Sequence, residues 1–185
     1  MSKKWSLLLL LLLLIPVGFA VKDSNQYEIE DTGADIESAL VEWQSKGNST
    51  EFQLEVISTK QLENTNSKIV LFETPDENIG YAHLIKGWNG KYKINVSGWG
   101  TNMVSYHDIK TDKGTYGVFI GKNSKAEIKR VTAKLSKQDT DFSSMVPEGK
   151  QFIIYKKLPA RLKETDLLEI YLYDKNGKEI IPLLD

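Results

Sequence analysis

Three short polar segments, Asn89-Gly90, Thr111-Asp112-Lys113-Gly114 and Asn176-Gly177, each stand between two runs of alternating apolar and polar residues. They restrict this chain to antiparallel β structure more than any other feature. Asn-Gly favours a tight hairpin turn because both central positions need positive φ, and Gly114 is placed for the left-handed residue of a longer turn. Strands are expected at Phe52–Val56, Lys68–Glu73, Tyr81–Lys86, Lys91–Ser97, Met103–Ile109, Thr115–Ile120, Ala126–Leu135, Gln151–Lys157, Leu167–Tyr173 and Lys178–Leu183. The phase of Ala126–Leu135 breaks near Lys129-Arg130, as a bulge would make it.

One helix is expected, about Ala34 to Lys46. Thr32 is its cap and Asp35 takes the capping-box position. Ile36, Ala39, Leu40 and Trp43 follow at helical spacing, and Gly47 supplies the stop. Trp43 should lie buried where this helix meets the sheet, so that Trp43→Ala costs about 3–5 kcal/mol. The fold class is therefore α+β, mainly antiparallel β: one N-terminal helix packed on an antiparallel meander (32–100), followed by an all-β, sandwich-like part (101–185). One continuous domain over 32–185 is the alternative division.

A two-residue turn at Asn89-Gly90 pairs Trp88 with Lys91, Ile85 with Ile94, His83 with Val96 and Tyr81 with Gly98, and a four-residue loop keeps the same faces. Tyr81, His83, Ile85, Tyr92, Ile94 and Val96 then share a core face. Lys86, Trp88, Lys91, Lys93, Asn95 and Ser97 share a wet, basic one. The lysines of such a face keep it soluble and discourage edge pairing. They also make Lys86, Trp88, Lys91 and Lys93 the candidate site for anionic material, with Trp88 as an amphipathic platform.

The N-terminus carries the address. Lys3 and Lys4 precede the apolar run Leu7–Ile15, Pro16 breaks it, and Gly18-Phe19-Ala20 puts small residues before a cut. This is the pattern of a secretory signal peptide over 1–20, cleaved after Ala20. The competing reading is an uncleaved anchor over residues 5–21, at the short edge of what spans a bilayer. Residues 21–31 read as a polar tether. Either way the rest is expected outside the cytoplasm.

Chemistry is sparse. The chain has no cysteine, hence no disulfide, thiol nucleophile, thiolate metal site or lipid-anchoring cysteine. With 24 basic and 25 acidic residues it is no basic nucleic-acid binder, and 26 % charged with 10 % aromatic residues is not a disordered composition. Walker loop, dinucleotide fingerprint, Gly-x-Ser-x-Gly elbow and zincin helix are all missing, so no cofactor or metal is expected. Gly98-Trp99-Gly100 opens no helix and reads as a turn beside an aromatic. His83, opposite Val96, reads as a satisfied core histidine. His107-Asp108 is the one acid–base pair in sequence, but neighbours on a strand point to opposite faces. Glu51, Asp108, Asp112 and Asp141 cannot be placed in a glycosidase-type pair from sequence.

The run Ile69–Gly100, with Leu71-Phe72, Gly80-Tyr81-Ala82-His83-Leu84 and Lys86-Gly87-Trp88-Asn89-Gly90-Lys91, resembles small uncharacterised exported proteins of Gram-positive bacteria, secreted or membrane-anchored. The closing Tyr171–Lys178 is similar to terminal hairpins of extracellular immunoglobulin-like modules. These resemblances imply an extracytoplasmic β-rich protein and carry over no catalytic residue. The sequence thus supports a non-enzymatic cell-envelope binding or interaction protein, its partner an anionic envelope polymer, lipid headgroups or another envelope protein. The alternative is an exported hydrolase or wall-modifying enzyme. Export with processing gives a mature N-terminus at Val21 on sequencing protein recovered outside the cytoplasm. An intact N-terminus in membranes supports the anchor instead.

Overall fold

A computed structural model describes residues 26–47, 52–135, 140–160 and 167–180. The expected signal or anchor segment and the last strand's end lie outside these residues. Among the described residues one helix, α1 (Gly33–Ser45), precedes eleven strands: β1 (Glu55–Gln61), β2 (Ser67–Glu73), β3 (Ile79–Lys86), β4 (Tyr92–Gly100), β5 (Val104–Thr111), β6 (Gly114–Lys122), β7 (Arg130–Leu135), β8 (Thr140–Met145), β9 (Gln151–Lys157), β10 (Leu167–Tyr173) and β11 (Glu179–Ile180). They form three antiparallel sheets, ordered β1-β2-β3-β4, β5-β6-β9 and β11-β10-β7-β8. The α+β, mainly antiparallel class read from the sequence is the class observed.

Every residue of β2 from Ser67 to Phe72 is buried, including four consecutive apolar side chains, Ile69 to Phe72. Strand neighbours alternate between faces, so the first sheet must be covered on both sides. Val70 and Phe72 pack with Ala82, Leu84 and Tyr92 beneath Ile36 and Leu40 of α1. Ile69, Leu71 and Ile79 pack against Ile109, Tyr116, Val118 and Ile120 of the second sheet. That sheet's far face, with Tyr106 and Phe119, closes on Val131, Ala133, Phe142 and Leu172 of the third. Helix, sheet, sheet and sheet therefore stack in four layers, and the middle core draws from both sides of residue 100.

The helix starts as its sequence dictates. The Thr32 hydroxyl donates to Asp35 Oδ2 at 2.7 Å, and Thr32 Oγ1 accepts from the Asp35 amide at 3.1 Å. Gln44 donates to Ser97 Oγ at 2.7 Å and Glu37 Oε2 accepts from the Val56 amide at 2.9 Å, tying the helix to both edges of the first sheet. Trp43 is not buried. It is 38 % exposed with Lys46 over its ring at 5.4 Å, because the helix presents Ile36 and Leu40 to the sheet and turns Trp43 to the rim.

The central hairpin also departs from expectation. The Gly90 amide donates to the Gly87 carbonyl and the Gly87 amide to the Lys91 carbonyl, which makes Trp88-Asn89-Gly90 a three-residue loop with Gly90 at φ +84. Lys86 then faces Tyr92, Ile85 faces Lys93 and Leu84 faces Ile94. A bulge at Asn95 restores the expected pairs His83↔Val96 and Tyr81↔Gly98. Asn176-Gly177 behaves likewise, the Gly177 amide donating to the Asp174 carbonyl and Leu172 standing opposite Ile180. The strand expected from Ala126 begins only at Arg130. Buried Asn123 holds the preceding loop by accepting from the Ile128 amide and donating to the Ile128 carbonyl, each at 3.0 Å. Strand β8 was not expected, and Phe52 and Leu54 pack on the helix-side core ahead of β1 instead of starting a strand.

Residues 26–31, expected to hang as part of a tether, dock on β4. Ile29 exchanges both backbone hydrogen bonds with Tyr92, Glu30 pairs with Lys91 at 2.7 Å, and Asp31 pairs with buried Lys68. Truncation of the side chains that meet the sheet should hurt far more than loss of the rim tryptophan. Leu40→Ala should lower unfolding free energy by about 2–5 kcal/mol in urea titrations, and Trp43→Ala by less than about 1 kcal/mol. Equal losses for the two would contradict this packing of α1.

Candidate functional site

The basic face read from the sequence does not assemble. Lys86 points to the helix side of the first sheet, its ammonium 5.6 Å from the Tyr92 ring. Lys93 leaves the opposite face, where its ammonium lies 4.7 Å from the Tyr27 ring and donates to Gln26 Oε1 at 3.2 Å. Lys91 is held by Glu30, which raises its pKa. Trp88 stands at the loop tip, 74 % exposed. The three-residue loop separates the lysines, and the docked segment 26–31 engages two of them.

A different feature gathers polar and aromatic groups. On β4 the face toward the second sheet carries Val96, Gly98 and Gly100, and the two glycines place no side chain there. A Cβ at either would meet nothing within 4 Å. The two sheets therefore part along this edge and leave a hollow of about 290 Å³, lined by Ile79, Tyr81, Trp99, Asn102, Ser105, His107 and Ile120 with the glycines as floor. Gly98-Trp99-Gly100 is thus strand, not turn. A glycine at alternate strand positions was the one sequence signal of an uncovered face.

Tyr81 of β3 and His107 of β5 close the gap between the sheets, with ring centroids 3.8 Å apart and planes 28° from parallel. Beyond this pair lies a second hollow of about 250 Å³, lined by His83, Asn95, Val96, Asp108, Ile109 and Lys110 together with the same two rings. His107 Nε2 is 3.0 Å from Ser105 Oγ, two residues away on the same face. Asp108 leaves the other face and accepts from the Tyr106 hydroxyl at 2.8 Å. As expected for strand neighbours, His107 and Asp108 do not act on one point.

His83 is the satisfied core histidine anticipated. It is 3 % exposed, with Nε2 at 2.9 Å from Ser67 Oγ and Nδ1 at 3.3 Å from Asn95 Nδ2. Burial pushes His83 down to about 4, and His107 likewise to about 4 against a smaller opposing pull from Asp108. Both rings are therefore neutral at physiological pH. Of the four carboxylates singled out, the three described do not converge: Asp108 is held by Tyr106, Asp112 accepts from the Asn66 amide at 2.9 Å and Asp141 is exposed on β8, while Glu51 lies outside the described residues. No group of three or more His, Asp or Glu placed to hold a metal occurs among the described residues. No helix among them is long and apolar enough to cross a membrane.

Comparison with protein-family models, with curated proteins and with solved structures gave no match. The site is therefore read from its own chemistry.

The two histidines give the fold an acid-sensitive seam. Each has a folded-state pKa below its ordinary value, so the unfolded chain takes up protons first as pH falls. The stability they leave intact above pH 6.5 is lost progressively between 6.5 and about 4. The ceiling is on the order of 3 kcal/mol for each ring. Thermal unfolding midpoints should stay level from pH 8 to about 6.5 and decline below it, with a shallower decline in His107→Gln. A midpoint that stays level down to pH 5 would contradict the burial of both rings.

Proposed function

We propose that this protein is a non-enzymatic binding protein of the cell envelope, exposed outside the cytoplasm, whose inter-sheet groove holds its ligand. The observation that carries the reading is the groove: concave, walled by Tyr81, His107 and Ile120, floored by bare strand backbone, with Asn102 and Ser105 as polar points. Mostly apolar hollows with a few placed polar groups are the usual form of a ligand site. The apolar run Leu7–Ile15 behind Lys3 and Lys4 supports the location.

A hydrolase is the second reading, favoured by the Ser105–His107 contact. A general base works best with a pKa near the operating pH, and burial holds His107 near 4, too weakly basic to activate a serine well. Among the described residues no carboxylate lines the first hollow to stand behind the histidine.

Co-sedimentation of the full chain with isolated cell walls tests this. Wild type should pellet with the walls and leave them intact. Gly98→Val, whose Cβ would have no neighbour within 4 Å and which raises the floor, should stay in the supernatant. Raised salt should change little, since capture of anionic polymer by Lys86, Lys91 and Lys93 is the interaction that screening weakens. Clearing of the wall suspension would overturn the non-enzymatic reading. Equal pelleting of wild type and Gly98→Val would overturn the groove as the site.

A further inference from the structure

Resting on the reading that the groove binds a ligand, we infer that the ligand is a linear, uncharged oligosaccharide lying across the Tyr81–His107 pair with one unit on each side. Three observations point there. The two hollows are close in volume, about 290 and 250 Å³, and the same two rings line both. A ligand filling them therefore has at least two units of similar size joined across a flat aromatic divider. Among the described residues no Lys, Arg, Asp or Glu lines the first hollow, and the charged residues beside the second, Asp108 and Lys110, alternate on β5 with His107 and Ile109, which face the first sheet. A charged ligand entering the first hollow would lose water with no counter-charge to meet it. Burial keeps His107 neutral as well, so it offers one donor or acceptor and no charge.

The remaining chemistry suits sugar rings over flat apolar molecules. The Tyr81 ring presents aromatic surface to the apolar C–H face of a sugar ring. Asn102, Ser105 and His107 in one hollow, and Asn95 in the other, stand where hydroxyls of a ring edge need partners. The bare floor at Gly98 and Gly100 lets the chain lie close to β4, as close backbone approach requires.

Titration of the full chain, as recovered from its host, tests the class, followed by resonances of Tyr81, Ser105 and His107. The probes are cellotetraose, chitotetraose and maltotetraose, their monosaccharides, an anionic tetragalacturonate, and phenylacetamide as an uncharged aromatic. At least one neutral tetramer should bind about tenfold or more tighter than its own monosaccharide and than tetragalacturonate, a difference of about 1.4 kcal/mol. Gly98→Val should weaken it by a similar factor while its unfolding midpoint stays at or above wild type, because a β-branched residue suits an open strand position. Ser105→Ala, folded alike, should weaken it to a lesser degree. Phenylacetamide in the groove with no sugar bound would overturn the saccharide class and leave the groove reading standing. No probe shifting the three residues at millimolar concentration would overturn both. Tetramer binding unchanged by Gly98→Val would place the sugar elsewhere and overturn the inference.

Discussion

The double-sided burial of β2 is the constraint from which the rest of the architecture follows. Ile69, Val70, Leu71 and Phe72 alternate between faces, and all four are fully buried. The first sheet therefore needs a cover on each side: α1 supplies one and the second sheet the other. That second sheet is itself apolar on its far face, where Phe119 stacks on Phe142 at 4.9 Å, so a third sheet is required. Close approach within the first sheet is equally demanding. The Phe72 ring occupies the space beside Gly80, where a Cβ would come within 2.2 Å of it. Polar ties then clamp the first two sheets, with Lys122 bridging Glu73 and Glu77, each at 2.9 Å, and Tyr116 donating to Glu63 at 2.8 Å.

The candidate site is where this covering runs out. At β4 the inner face passes from Val96 to Gly98 and Gly100, and the second sheet has nothing there to pack on. The result is a groove whose width is set by one aromatic contact, Tyr81 on His107. Its lining is neutral because desolvation, the same effect that makes buried charge costly, also keeps both histidines unprotonated. Stability and proposed binding thus share residues, and the acid response of the fold is a property of the site's own wall.

Much of this was legible in the residues, and the exceptions have physical causes. Thr32, Asp35 and Gly47 gave the helix its ends, since capping is local chemistry. The turns gave the hairpins, but not the loop length. Asn89 accepts from the Lys91 amide at 3.1 Å and donates to the Tyr27 carbonyl at 3.0 Å, and Tyr27 packs against Gly87. A contact from sixty residues away thus accompanies a three-residue loop, and one residue of register moves Lys86 and Lys93 to opposite faces. Trp43 follows the helical stripe yet lies at the rim, because periodicity gives an angle and not the position of the sheet's edge. Strand β8, Thr140–Met145, buries Phe142 while its other large apolar side chain, Met145, is exposed, and it is held by Ala133 opposite and by the rings of Tyr106 and Phe119. The groove escaped because it joins β3, β4 and β5, and only the spacing of Gly98 and Gly100 hinted at it.

The first two sheets meet through Tyr81 and His107 and part beside them. The most direct measurement is the set of nuclear Overhauser contacts from the His107 ring protons in solution at neutral pH. These protons should show strong contacts to the Tyr81 ring, consistent with centroids 3.8 Å apart, and contacts to the Ser105 side chain. A His107 ring that shows no contact to Tyr81 and titrates near the ordinary histidine value of 6.5 would contradict this meeting of the sheets.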